Sequence, residues 1–173
     1  MEDPLDKITE GKDLVGKIKN ALAGFLGYVD RENRRDADKI LREGIAQRVE
    51  KQWERVSEIQ RDLVSAGKLE LVDDLEAGAL KLRQFADRLK TAAYGYAGFF
   101  DAVRIKSEEL EKLYAYDVAL LEKVDEIERA VDNVEASINS DGLPAALGHL
   151  KTVGQEAIDA FDQRKEVILS TEG

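Results

Sequence analysis

At 173 residues the chain is long enough for one domain with a substantial buried core. Its 36 acidic residues against 26 basic ones give a net charge of −10, a surface that repels phosphate backbones and argues against a nucleic-acid partner. The absence of cysteine excludes disulfides, thiol nucleophiles and thiolate metal sites. With the acidic start Met1-Glu2-Asp3-Pro4 and no apolar run near the ~20 residues of a membrane span, it leads to the expectation of a cytoplasmic protein.

Residues 1–29 read as an N-terminal amphipathic segment. Within it, Leu14, Ile18, Leu22 and Phe25 recur at helical spacing from 5 to 26, while Gly11, Gly16, Gly24 and Gly27 each cost about 1 kcal/mol relative to alanine inside a helix. Such a helix needs a surface to fold on. Lys12, Lys17 and Lys19 lie on or near its polar side, the one locally basic amphipathic stretch in an acidic chain. It is expected either to dock on the rest of the protein or to lie weakly on an anionic membrane surface or a protein partner.

The next helix is expected from about Arg31 or Glu32 to Ala66, with Asp30 as N-cap and Gly67 as the left-handed residue just past its end. Its apolar positions are Ala37, Leu41, Ile45, Val49, Trp53, Val56, Ile59 and Leu63, the first five at +4 and the remainder at heptad spacing. Arg31, Arg34, Arg35, Lys39 and Arg42 interleave with acids, and Asp38 with Arg42 makes a favourable i,i+4 pair. The cluster therefore reads as a solvated, self-neutralised face rather than a phosphate site.

After a turn at Ser65-Ala66-Gly67-Lys68, a third helix is expected from Leu69, with Glu70, Asp73 and Asp74 in its first turns, where the helix dipole favours anions. Val72, Leu75, Ala79, Leu82, Ala86, Leu89, Ala93 and Tyr96 form an unbroken seam of +3 and +4 steps. Tyr94-Gly95-Tyr96-Ala97-Gly98-Phe99-Phe100 follows, gathering four of the eleven aromatic residues around two glycines. A second seam runs through Leu110, Leu113, Asp117, Leu120, Val124, Ile127, Val131, Val134 and Ile138. The two seams are out of register, which a turn near 104–106 or a stutter explains. The turn, with Ser107 capping the next helix, gives three central helices of nearly equal length, each roughly 50 Å long. The competing geometry is one unbroken helix from Leu69 to Ile138, roughly 105 Å long.

The helix from Ser107 carries Glu108 with Lys112 and Asp125 with Arg129 as i,i+4 supports, and ends at the strong turn Asn139-Ser140-Asp141-Gly142. A final helix runs from Leu143 or Pro144 to about Leu169, with Leu147, Leu150, Val153, Ala157, Phe161 and Ile168 facing inward. No stretch shows sustained strand alternation. The expected class is all-α, an elongated antiparallel helical bundle of three long helices plus N- and C-terminal helices with coiled-coil-like packing. Residues 30–173 form the bundle, and the whole chain is one domain.

Chemistry is not written into this chain. A di-iron bundle needs a Glu-x-x-His on each of two helices, yet His149 is the sole histidine and Ala146 stands three before it. Calcium loops, phosphate-binding glycine loops and nucleophile elbows are missing, so no catalytic residue, cofactor or metal is expected. Asp117 is the sharpest single residue, since a carboxylate on a seam destabilises unless paired and can fix register. Tyr114 and Tyr116 stand near enough in sequence to offer it a hydroxyl. The leading expectation is a non-enzymatic scaffold or interaction protein that self-associates or binds a protein partner through Tyr94, Tyr96, Phe99 and Phe100, with Asp117 setting register. Two alternatives are a peripheral membrane-binding coiled-coil protein using residues 5–28, and a small-molecule binder or unrecognised enzyme with a pocket near Tyr94, Tyr96, Tyr114 and Asp117.

Overall fold

The computed structural model describes residues 34–92 and 107–170, with side chains described for 41–92, 115–164 and 166. Helix α1 spans Arg34–Ser65, a 3-10 turn Leu69–Leu71 leads into α2 at Val72–Thr91, α3 spans Ser107–Ala136 and α4 spans Leu143–Ser170. These four helices pack against one another, and no strand is present among the described residues. The N-terminal segment with Lys12, Lys17, Lys19, Leu22 and Phe25, the Asp30 cap and the aromatic stretch Tyr94 to Phe100 lie outside the described residues.

The stop of α1 is written in one residue. Gly67 has φ +74°, the left-handed region that glycine adopts without steric cost. The Lys68 amide donates to the Leu63 carbonyl at 2.9 Å and the Gly67 amide to the Val64 carbonyl at 3.1 Å, the paired bonds of a Schellman cap. The chain then takes a 3-10 turn before α2, three residues later than the expected α-helical start at Leu69, and Asp73 and Asp74 occupy the first turn of α2. At the other connection, the Ser140 amide donates to the Ser137 carbonyl and the α4 ladder begins from Gly142. The Lys68 ammonium donates to the Ile138 carbonyl at 2.7 Å, so the two turns meet at one end of the fold.

Side-chain partners fix how the helices run. Glu50 on α1 meets Lys90 on α2, while Gln60 meets Glu76, so these two helices run in opposite directions. Asp117 with Arg164 and Lys123 with Glu156 show the same for α3 and α4. Arg48 grips Asp125 and Glu128, and Arg55, seven residues on, grips Asp132 and Glu135, so α1 and α3 run in the same direction. Arg88 with Asp162, and Gly78 against Leu150, give α2 and α4 a common direction as well. The fold is thus one helical hairpin laid on another. Because α2 opposes α1 while α3 follows it, α2 and α3 cannot be collinear, which removes the single unbroken helix from Leu69 to Ile138.

One continuous core fills the space between the hairpins, with Leu41, Val56, Leu75, Phe85, Ile127 and Leu150 among its buried members. Each such side chain contributes roughly 1.5–3 kcal/mol when withdrawn from water. The predicted seams of α2 and α3 are buried from Leu75 to Leu89 and from Asp117 to Val134. Along α1 one position differs. Trp53 is 38% exposed and Gln52 is buried in its place. Successive +4 steps drift about 40° each around a straight helix, so after Leu41, Ile45 and Val49 the inward face has passed to the +3 residue. Gln52 is tolerated there because its amide oxygen accepts a bond from Arg55 at 2.9 Å.

The interface between α2 and α4 depends on two glycines. A Cβ on Gly154 would stand 2.8 Å from Lys81 Cβ, and one on Gly78 would stand 3.2 Å from the Leu150 side chain. Their hydrogens let the two helices approach where a larger residue would hold them apart.

Candidate functional site

Three features of the described residues differ from ordinary core and solvated face. The first is the buried ion pair. Asp117, the first seam residue of α3 whose side chain is described, is fully buried, and so is Arg164 on the facing turn of α4. Arg164 Nε donates to Asp117 Oδ1 at 2.6 Å, a charge-assisted contact between groups both cut off from water. Asp117 Oδ2 has no hydrogen-bond partner among the described residues. Loss of hydration pushes the Asp117 carboxyl up to about 6 from its ordinary 3.8, with the attraction of Arg164 working in the opposite direction. The partner is thus an arginine from another helix, and Tyr116 beside it is half-buried. The acid offered to the proposed small-molecule pocket is already engaged.

The second feature is Arg42, which is buried and whose Nη1 donates to the Leu89 carbonyl at 2.8 Å. The solvated position expected for Arg42 is therefore corrected: the residue is buried. A guanidinium reaching the last turn of a neighbouring helix places positive charge at the negative end of that helix's dipole. Asp125 likewise turns to Arg48 on α1 rather than to Arg129. Arg42, Asp117 and Arg164 all lie towards the end of the fold opposite the two turns.

The third feature is on the outer surface of the first hairpin. An open cleft of ≈ 240 Å³ between α1 and α2 is lined by Glu50, Trp53, Arg83, Ala86 and Asp87. Glu50 is paired with Lys90, whereas the side chains of Arg83 and Asp87 have no ion pair or hydrogen bond among the described residues. Leu80, 51% exposed, stands on the same outward side of α2, and Val64 is half exposed further along α1.

The remaining sequence candidates are placed as follows. Tyr94, Tyr96, Phe99 and Phe100 lie outside the described residues, and the side chain of Tyr114 does too. His149 is exposed. Among the described residues no group of three or more histidine or acidic side chains stands together as metal ligands do, and no helix is long and apolar enough to cross a membrane. Arg164 was missed by sequence reasoning although its signal was present. The seam of α4 steps from Ala157 to Phe161 by +4, and the following +3 step lands on Arg164, the counterpart of the one acid on the α3 seam. The chain matches no family model, no curated protein and no solved structure.

Proposed function

We propose that this chain is a non-enzymatic helical scaffold that works by self-association, built as an elongated bundle of antiparallel hairpins with coiled-coil-like packing. The observation that carries the reading is the unequal distribution of apolar side chains. The core between the hairpins is closed, yet Trp53, Val64, Leu69 and Leu80 remain exposed on the first hairpin, a composition that association surfaces favour. The heptad-spaced Arg48 and Arg55, each on two acids of α3, support the coiled-coil-like register. The aromatic run Tyr94, Tyr96, Phe99 and Phe100 is a second place where copies or a protein partner would meet. Sedimentation equilibrium of the wild type beside a Tyr96→Ala, Phe99→Ala, Phe100→Ala variant tests it. A wild type that associates and a variant that does so less assigns contact to that run, while two monomers of equal helicity refute self-association.

A membrane reading is favoured by one sequence observation, the pairing of Leu14, Ile18, Leu22 and Phe25 with Lys12, Lys17 and Lys19. Each lysine near an anionic surface contributes about 1 kcal/mol and is screened by salt, so binding is weak and salt-sensitive. Vesicle co-sedimentation of the full chain against a chain beginning at Tyr28 decides it, since equal recovery of both in the supernatant at low salt contradicts it.

A further inference from the structure

We infer that the outer face of the α1–α2 hairpin is the surface on which a second copy of this chain docks, in a two-fold arrangement that lays α2 against α2 of the other copy. The inference rests on the self-association reading and gives it a place. An isologous interface must be complementary to itself: where residue i meets residue j, j also meets i. A chain carrying a net charge of −10 meets repulsion from its own copy over most of its surface, so a self-docking face has to be locally neutral. The cleft satisfies this. Glu50 is neutralised by Lys90 within the chain, leaving Arg83 and Asp87 as one cation and one anion, each without an ion pair among the described residues. They stand one turn apart on α2. A two-fold axis crossing α2 near Phe85 runs the two α2 helices antiparallel and sets Arg83 of each copy against Asp87 of the other. Trp53 and Leu80 flank that pairing, and their exposed area is covered in the same step.

Size sets the expected strength. The 20 residues of α2 span about 30 Å and a hairpin face is about 20 Å wide, so each copy covers about 600 Å², the low end for a specific interface. The dimer is accordingly weak, with a dissociation constant of micromolar order.

The experiment uses the full chain and its one tryptophan, which lies in the cleft and so reports on it directly. Sedimentation equilibrium and tryptophan emission are followed over the same concentration series for wild type, Arg83→Asp, Asp87→Arg and the charge-swapped double variant Arg83→Asp/Asp87→Arg. The expected result is a mass that rises with concentration together with a blue shift of emission. Each single reversal weakens association about tenfold or more, because two attractive contacts become repulsive, and the double swap restores it. Circular dichroism checks that the variants keep the wild-type helicity. A dimer whose mass is indifferent to the reversals and whose emission does not move overturns this surface while leaving self-association through another one. A wild type that stays monomeric at every concentration overturns both.

Discussion

The two hairpins have the same plan and opposite outer faces. Each is a pair of oppositely directed helices joined by a short turn, and they lie on each other with α1 along α3 and α2 along α4. Yet all four large hydrophobic side chains exposed among the described residues, Trp53, Val64, Leu69 and Leu80, belong to the first hairpin, and none of the side chains described for the second is of that kind. The second hairpin has its peculiarity inside, in the Asp117–Arg164 pair that ties α3 to α4. Core burial is shared, so the fold alone does not call for this asymmetry. Both hairpins bury two polar side chains, Arg42 and Gln52 in the first and the ion pair in the second, but the first also leaves large apolar surface outside.

The largest effect should come from breaking the interior feature of the second hairpin. Arg164→Leu leaves Asp117 buried without its cation and should destabilise the fold by about 3–5 kcal/mol in urea unfolding. Removing both charges together, in Asp117→Leu/Arg164→Leu, should be neutral or stabilising by about 1–4 kcal/mol. If single and double variants lose the same stability, the pair is not coupled as the geometry requires.

Acidity probes the same contact. With its folded value near 6 and an ordinary value of 3.8, Asp117 keeps its proton in the folded state over a range where the unfolded chain has released it. Its contribution to stability is therefore fully present below about pH 4, declines as pH rises, and is gone above about pH 6 to 7. Stability of the wild type minus that of the double variant, measured from pH 4 to 7, should fall by roughly 3 kcal/mol. A difference that rises with pH contradicts the assignment.

Where the hairpins join, smaller effects are expected. Gly154→Ala forces Lys81 and its helix to move and should cost about 1–2 kcal/mol, even though alanine is the better helix former. Gly148, with open space where its Cβ would be, is the control, and Gly148→Ala should stabilise by up to about 1 kcal/mol. On the other side of the join, Arg48→Ala and Arg55→Ala should each cost about 1 kcal/mol or less, and less again in high salt, because their acidic partners are largely solvated. Smallest of all is Trp53→Ala, expected to change monomer stability by about 0.5 kcal/mol or less, since the ring lies outside the core. A loss comparable to that of Arg164→Leu would make Trp53 a core residue and remove the asymmetry between hairpins.

Much of this architecture was legible in the residues because it follows from local rules. Gly67 announces a left-handed stop, Asn139-Ser140-Asp141-Gly142 announces the second turn, and unbroken +3/+4 seams from Leu75 to Leu89 and from Leu120 to Val134 announce buried faces. What escaped depends on a partner that the sequence does not place nearby. Asp117 was visible as an anomaly, but its cation stands 47 residues away on another helix. Gly154 reads as a weakness within a helix until Lys81 is seen against it. Trp53 was assigned to the core because a large apolar residue at +4 from Val49 fits the pattern, and only the drift of a straight helix moves it to the edge. The cleft beside it takes residues from both helices of a hairpin, so no single stretch could have displayed it.

Weight-average mass by sedimentation equilibrium, on the full wild-type chain across two decades of concentration, decides whether the chain pairs with itself. The mass should climb from the 19.3 kDa of one chain towards twice that value as concentration passes through the micromolar range. A mass fixed at 19.3 kDa throughout, in a protein shown to be helical under the same conditions, contradicts it.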